Sequence, residues 1–401
     1  MPMALDDVTV LDLSHALAGP FCSTMLADFG AEVIKVESPT GDISRAWGPP
    51  FVGAEPAYFL SLNRNKRSVV IDLKHAEGKE LFFRLMERAD VVLENFRVGT
   101  LAKLGIDYET GRRRNPRIIY CSISGFGQDG PYRDRAALDL IVQAESGIIS
   151  VTGEPGSHGV RAGVSIADMT AGLESAFAVM LALRHVERTG VGQAIDVSML
   201  EGQLHLLHGM IGGYLSDGEV PQPMGTAYKA LLPYQTFRTR TRDIALAVGT
   251  DKVWRAFCPL LGVGDMADDP RYATNRARNR NRTALIARLQ EALLTKAYED
   301  WEALLLPAGI PMGAINTLDK VVEHPQVKAR GVLVERDHPT AGTMKMVGAP
   351  FRMSSTPGSV RRPAPLLGQH TDEVLRERLG LDDAELARLR RAGAIGTGKQ
   401  T

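Results

Sequence analysis

The strongest constraint on the fold of this chain is a unit repeated through its first third: a short apolar run, a turn, a helix-forming stretch and another apolar run. Val8-Thr-Val-Leu-Asp-Leu13 reads as a buried strand. After the turn-like His15-Ala-Leu-Ala-Gly-Pro20, Phe21 to Phe29 is helix-forming and ends at Gly30, and Ala31-Glu-Val-Ile-Lys-Val36 is the next strand. The order recurs with Ser68–Leu73, a helix from Glu77 to Arg88, Val91–Leu93, a helix near Leu101, and Arg117–Ile123. Strands that are apolar throughout and alternate with helices form parallel sheets covered on both faces. The expected class is therefore α/β, a Rossmann-like large domain with a parallel sheet.

Further along, Val164-Ser-Ile-Ala-Asp168 is an apolar run that ends in a carboxylate, and a long helix of small and apolar residues continues to His185. A strand at Gln193–Ser198 and a helix through Tyr214 complete the pattern. Residues 217–233 are rich in Gly and Pro and read as a linker; Tyr234 to Val248 reads as hairpin strands, followed by helices at Lys252–Leu261, Arg282–Leu294 and Glu299–Leu306. These predict a smaller α+β domain over 228–325, inserted into a discontinuous large domain of 1–215 and 335–401 through linkers at 216–227 and 326–334. Two short charged helices, Asp372–Leu379 and Asp382–Ala392, close the chain. A hydrophobic content of 44% in 401 residues is enough to fill both cores.

Lys and Arg total 47, as do Asp and Glu, so no global charge draws the chain to nucleic acid or an anionic membrane. No apolar run approaches the roughly 20 residues that span a bilayer, and Asp6 and Asp7 stand where a signal peptide would be basic. Cys22, Cys121 and Cys258 are odd in number and widely spaced, which fits neither a disulfide framework nor a zinc site. The expectation is a soluble, cytoplasmic protein.

Gly125-Phe-Gly-Gln-Asp-Gly130 matches the dinucleotide fingerprint and follows a strand, but Pro131-Tyr-Arg-Asp-Arg135 continues as loop where that site requires a helix. No His/Cys cluster has metal-ligand spacing; His205 and His208 read as core or surface residues, and neither a GxSxG elbow nor a P-loop is present. Asn63-Arg-Asn-Lys-Arg67 reads as a solvated basic loop or, functionally, as a phosphate site. Asp168, on its own segment, reads as a helix N-cap.

Taken together, His15-Ala-Leu-Ala-Gly-Pro20, Gly30-Ala-Glu-Val-Ile-Lys-Val-Glu37, Asn63–Ser68, Glu94-Asn-Phe96, Gly125–Pro131 and Pro365-Leu-Leu-Gly-Gln-His-Thr371 resemble the class III CoA-transferases, the family of formyl-CoA transferase and carnitine CoA-transferase. The blocks span nearly the whole chain in the family's order. The resemblance implies that the glycine string is that family's own loop, and that Asp168 in Ala-Asp-Met-Thr-Ala-Gly172 is a nucleophile carrying CoA as a thioester. It further implies CoA contacts at Leu17, Ala18, Ser38, Ile71, Lys74, Asn95, Phe96, Arg97 and Lys103, a secondary polar group at Asp139, and substrate contacts at Tyr58 and Leu138. No metal and no tightly bound cofactor are implied; coenzyme A enters as substrate, with a small carboxylic acid. An interlocked homodimer, threaded through segments near 215–230 and 320–340, is implied as well.

A carboxylate ionised at neutral pH can attack a thioester without a general base, which fits a sequence with no obvious one. Formyl-CoA transferase has Gln where this chain has Leu17, Arg at Ser38, and Lys and Tyr at Ala136 and Leu138. The apolar replacements Leu17, Ala136 and Leu138 predict a larger acid than oxalate, one with apolar carbons, because buried polar groups of oxalate would lose their partners there. Succinyl-CoA is the expected donor on metabolic grounds. The rival readings are α-methylacyl-CoA racemase, whose His falls where this chain has Leu138, and a non-catalytic CoA-binding homologue; a two-base racemase without that His loses half its machinery. The family's small-domain glycine loop is matched only weakly, by Met224–Lys229.

Overall fold

A computed structural model describes residues 2–396, so residue 1 and residues 397–401 of the range expected for the large domain lie outside the described residues. The chain forms two compact units. One comprises the residues up to Ile148, Ala162–Asp217 and the chain from Gln326 on; the other comprises Ile149–Arg161 and Gly218–Pro325. Residues 149–161, which the sequence reading left in the large domain, group with the smaller unit.

The first unit is built on β1 (Thr9–Asp12), β2 (Glu32–Glu37), a minor pair β3 (Phe51–Val52) and β4 (Glu55–Pro56), β5 (Lys66–Val70), β6 (Val91–Glu94), β7 (Ile119–Ser124) and β8 (Ala194–Ser198). Six of these form one sheet in the order β5-β2-β1-β6-β7-β8, and every neighbouring pair is parallel. Its helices are α1 (Ala18–Asp28), α2 (Ala57–Leu62), α3 (Ala76–Met86), α4 (Tyr108–Arg114) and α5 (Asp139–Glu145), then, after the short α6 (Ile148–Val151) that passes into the second unit, α7 (Ile166–Thr189), α8 (Met199–Leu206) and α9 (His208–Asp217). Alternation along the strands sends Leu11, Ile34, Val69 and Val92 into one core, with Phe82 of α3 and Val374 and Leu375 of a C-terminal helix. Val10, Val33, Val91 and Ile119 enter the other core with Cys22 and Leu26 of α1 and Ala171 and Val179 of α7. Each fully buried aliphatic side chain contributes roughly 1.5–3 kcal/mol, so both faces are firmly held.

Three expectations change. Helix α1 begins at Ala18, not Phe21, because Pro20 falls in the first turn, where a missing N–H costs nothing. The helix opens before Asp168: α7 starts at Ile166 behind Ser165, which makes Asp168 the third helical residue and not its cap. Finally, α7 is a 24-residue helix long and apolar enough by length and composition to cross a membrane, although nearly half of it is buried against α1, α5, α8 and the sheet.

The second unit holds an antiparallel sheet of β9 (Tyr234–Arg238), β10 (Asp243–Ala247) and β11 (Met312–Ala314), in the order β11-β10-β9. Trp254, Phe257, Leu289 and Trp301 fill its core. The buried Arg278 guanidinium donates to the carbonyls of Leu232 and Tyr272 and to Asp251. A hairpin of β12 (Leu333–His338) and β13 (Gly342–Val347) belongs to the first unit.

Candidate functional site

In a parallel sheet, ligands bind beyond the carboxyl ends of the strands, where the strand order reverses. Here the order reverses between β1 and β6. The turn after β1 carries Leu17 and Ala18; Ser38 follows β2, Ile71 and Lys74 follow β5, and Asn95, Phe96, Arg97 and Lys103 follow β6. One edge of the sheet thus gathers nearly all the residues expected from the sequence.

At the centre is Asp168. Helix α7 packs so closely on the start of α1 that a Cβ on Gly172 would stand 2.7 Å from the Ala18 carbonyl oxygen. At that approach the Ala18 N–H favours the ionised form of the Asp168 carboxylate. Burial and the neighbouring charge of Asp139 act the other way and prevail, pushing Asp168 up to about 7. Asp139 opens α5 and is buried. Its Oδ1 accepts the Ala167 N–H at 2.9 Å and its Oδ2 the Gln143 side-chain amide at 2.7 Å. Gln143 in turn accepts the Ala162 N–H at 2.8 Å. Burial, and then Asp168, Asp42 and Asp139, push the Tyr58 phenol well above its usual range, so it remains a hydrogen-bond donor.

The remaining expected residues divide by exposure. Leu17 is buried beside Ala18, whereas Leu138 is 71% exposed. Lys74, Arg97 and Lys103 are exposed, and among the described residues neither Lys74 nor Lys103 forms an ion pair. Ser38 is exposed and its hydroxyl meets that of Thr40 at 2.9 Å. Ile71 is fully buried in the core, and its N–H donates to the Glu37 carbonyl. Asn95 is committed elsewhere: its side-chain oxygen accepts the His15 N–H and its NH2 donates to the His15 carbonyl, both at 2.8 Å. It latches together the turns after β1 and β6, while Phe96 sets its ring edge-on to His15.

The Asn63–Arg67 run is neither a solvated loop nor a phosphate site. Arg64 pairs with Asp28 at 2.6 Å, Arg67 with Glu32, Glu373 and Glu377, and Lys66 with the buried Asp12 at 3.1 Å. Every cation in it is already neutralised. Residues 125–138 run as loop without a helix, as expected for the glycine string, and the Gln128 N–H is held by Asp196 at 2.8 Å. Among the described residues no group of His, Cys, Asp and Glu could hold a metal; His205 is exposed and lies 3.4 Å from Glu174.

The sequence reading missed Gln143 and a buried charge network of Asp12, Lys35, Glu37, Asp42 and Lys66 beneath the site. A signal was present in Lys35, a charge inside the otherwise apolar Val33-Ile-Lys-Val36.

Known proteins similar to this chain show its family. The model of "CoA-transferase family III" matches residues 5–371. A succinate–glutarate CoA-transferase of Agrobacterium fabrum is 43% identical, covering 93% of this chain and 95% of its own. The human succinyl-CoA:glutarate CoA-transferase is 39% identical over 98% of this chain and 90% of its own. The crystal structure of a CAIB/BAIF family protein from Brucella suis superposes with a TM-score of 0.84 at 40% identity, covering 94% of this chain and all of that one. A family model that spans most of the chain, together with relatives this similar over nearly their full length, establishes that the chain belongs to CoA-transferase family III and is an enzyme that moves CoA between an acyl-CoA and a carboxylate.

Proposed function

We propose that this enzyme takes CoA from succinyl-CoA and gives it to a longer dicarboxylic acid, through a covalent thioester on Asp168. The observation that carries the reading is the pairing of Asp168 with the Ala18 N–H on one side and the Asp139 carboxylate on the other. A carboxylate pushed up to about 7 is both basic and still substantially ionised at neutral pH. An Asp168 oxygen attacks the thioester carbonyl and CoA leaves as thiolate, giving a mixed anhydride. The thiolate then attacks the Asp168 carbonyl, releasing the donor acid and leaving Asp168 joined to CoA. The acceptor carboxylate repeats both steps in reverse. Each acylated form of Asp168 is neutral, so repulsion from Asp139 raises the free carboxylate relative to the intermediates. The Ala18 N–H is placed to stabilise the oxyanions.

In this reading Lys74, Arg97 and Lys103 meet the phosphates of CoA, the backbone at Leu17, Ala18 and Phe96 and the side chain of Ser38 line its path, and Ile71 supports it from beneath. Tyr58 donates to the acid, and Leu17 and Leu138 favour acids with methylene carbons. The choice of succinyl-CoA, and of glutarate as the first acceptor to try, leans on the relatives' substrates. Exposed apolar residues on α7, α8 and α9, among them Leu173, Phe177, Leu181, Leu206 and Leu215, support a homodimer, since patches of this kind mark interfaces. A mass near 87 kDa is expected in solution, twice the chain's 43.5 kDa; a monomer by light scattering would overturn the dimer. Three free, buried cysteines accord with a cytoplasmic location.

The central test is to incubate the enzyme with succinyl-CoA, reduce with borohydride and digest. The peptide containing Asp168 is expected to change mass, and glutarate to be turned over in preference to oxalate. An unchanged peptide with every active donor refutes the covalent route; preference for oxalate refutes the acceptor assignment.

A further inference from the structure

The turn between β1 and α1 has an unusual backbone. Ala16 has φ 63, a left-handed conformation disfavoured for any residue with a Cβ. Strain of this kind persists only where the surroundings impose it, and here they do. Lys35 Nζ donates to the Ser14 carbonyl at 2.7 Å, Lys66 Nζ to the Pro20 carbonyl at 3.1 Å, and the Asn95 amide holds both backbone groups of His15. The bond to the strained residue itself comes from Asp42, whose Oδ1 accepts the Ala16 N–H at 3.2 Å.

Asp42 is 2% exposed. Its Oδ2 lies 2.9 Å from Lys35 Nζ, its Oδ1 also accepts the Ser44 N–H at 2.8 Å and hydroxyl at 2.7 Å, and its own N–H donates to Glu37 at 2.9 Å. It cannot swing away. Two residues beyond Ala16, where a Cβ on Gly172 would stand 2.7 Å from the Ala18 carbonyl oxygen, the Ala18 N–H favours the ionised Asp168 carboxylate.

We propose that Asp42 is a positioning residue for CoA transfer: by holding Ala16 in its left-handed conformation, it aims the Ala18 N–H at the Asp168 carboxylate. This rests on Asp168 being the nucleophile. Asp42 touches no reacting atom. Its effect passes through one amide, which stabilises the ionised carboxylate before attack and the oxyanion after it.

The test is the pH dependence of single-turnover thioester formation in Asp42→Asn. Losing the Ala18 bond removes a stabiliser of ionised Asp168, so the acid limb is expected to move up by about half to one pH unit, with the maximal rate about tenfold lower. A purely structural role would lower the folded fraction and leave the limb in place. The other groups facing Asp168 are Asp139 from α5 and Tyr58 from α2; the substitution leaves Asp139 in place, and although it removes one of the charges that push the Tyr58 phenol up, that phenol stays protonated throughout the pH range of the test. Should Asp42→Asn fail to fold, Asp42→Ala combined with Lys35→Met decides. It removes the buried cation along with its partner and takes the acceptor away from the Ala16 N–H, so the same upward movement is expected. An unmoved limb in the deciding variant overturns the proposal. Asp168→Asn run alongside separates the two readings: if it still forms a thioester, the nucleophile assignment fails, whatever Asp42 does.

Discussion

Asp168→Asn is expected to lower kcat by about 10^4-fold or more, the scale on which removing a nucleophile acts, and to leave no covalent CoA after incubation with any acyl-CoA. The amide keeps the volume of the side chain and an oxygen for the Ala18 N–H, so CoA affinity should change little. The pH dependence carries a second signature. Asp168 attacks as the carboxylate, and burial with Asp139 pushes it up to about 7. The wild-type rate of thioester formation should therefore rise through pH 7 and flatten above it. Stability runs the other way. A carboxyl whose folded pKa lies above its unfolded value of 3.8 binds more protons in the folded state, so it costs stability as pH rises from about 4 through 7. Asp168→Asn removes that cost: the variant should melt higher than wild type at pH 8, with the difference shrinking at pH 5. A variant that is inactive yet less stable at pH 8 would mean that Asp168 serves the fold, not the chemistry.

That Asp168 lies beside a second carboxylate was legible only in part. The sequence placed both Asp168 and Asp139 in the site through family resemblance, but 28 residues of chain separate them, and no local pattern says that Asp139 meets the Ala167 N–H. Sheet class was legible because it is local. Val8–Leu13, Ala31–Val36 and Arg117–Ile123 are apolar on both faces, and only a covered parallel sheet buries such runs. Helix starts were less so, since Pro20 looks like a breaker until its place in the first turn is known. Charges misled most. Lys66 and Arg67 read as a surface run, because burial of a cation depends on a partner brought by the fold: Asp12 and Glu32 arrive from strands 54 and 35 residues away. Asn95 shows the same limit from the other side. Its place was found, whereas its commitment to His15 needed the crossing of two turns.

Asp12→Ala is expected to have the largest effect on stability, about 3–5 kcal/mol, the usual loss when one member of a buried pair is removed. The Asp12 side chain is fully buried with Lys66 at 3.1 Å, and it accepts from the Ser14 N–H at 2.9 Å and the Ser23 hydroxyl at 2.6 Å. Although burial opposes the charge, Lys66, Lys35 and the two hydroxyls together hold Asp12 down at about 2. Its contribution is accordingly complete above the unfolded pKa of 3.8 and is lost as pH falls through 2. Lys66 is pushed down to about 8 by burial and by Lys35, and Asp12 is the main group resisting that fall. Without Asp12, Lys66 is a lone buried cation that sheds its proton at lower pH still. The unfolded chain then binds more protons than the folded one over a wider range, so the variant gains more stability than wild type as pH rises toward 10. The deficit should narrow accordingly. Urea denaturation followed through Trp47, the tryptophan of this unit, at pH 7 and pH 9.5 measures both quantities. Asp12→Ala combined with Lys66→Met should recover part of the loss, because it removes the orphaned charge along with its partner. A deficit that stays constant with pH, or a double variant no better than the single one, would mean that Asp12 acts through its hydroxyl partners and not through Lys66.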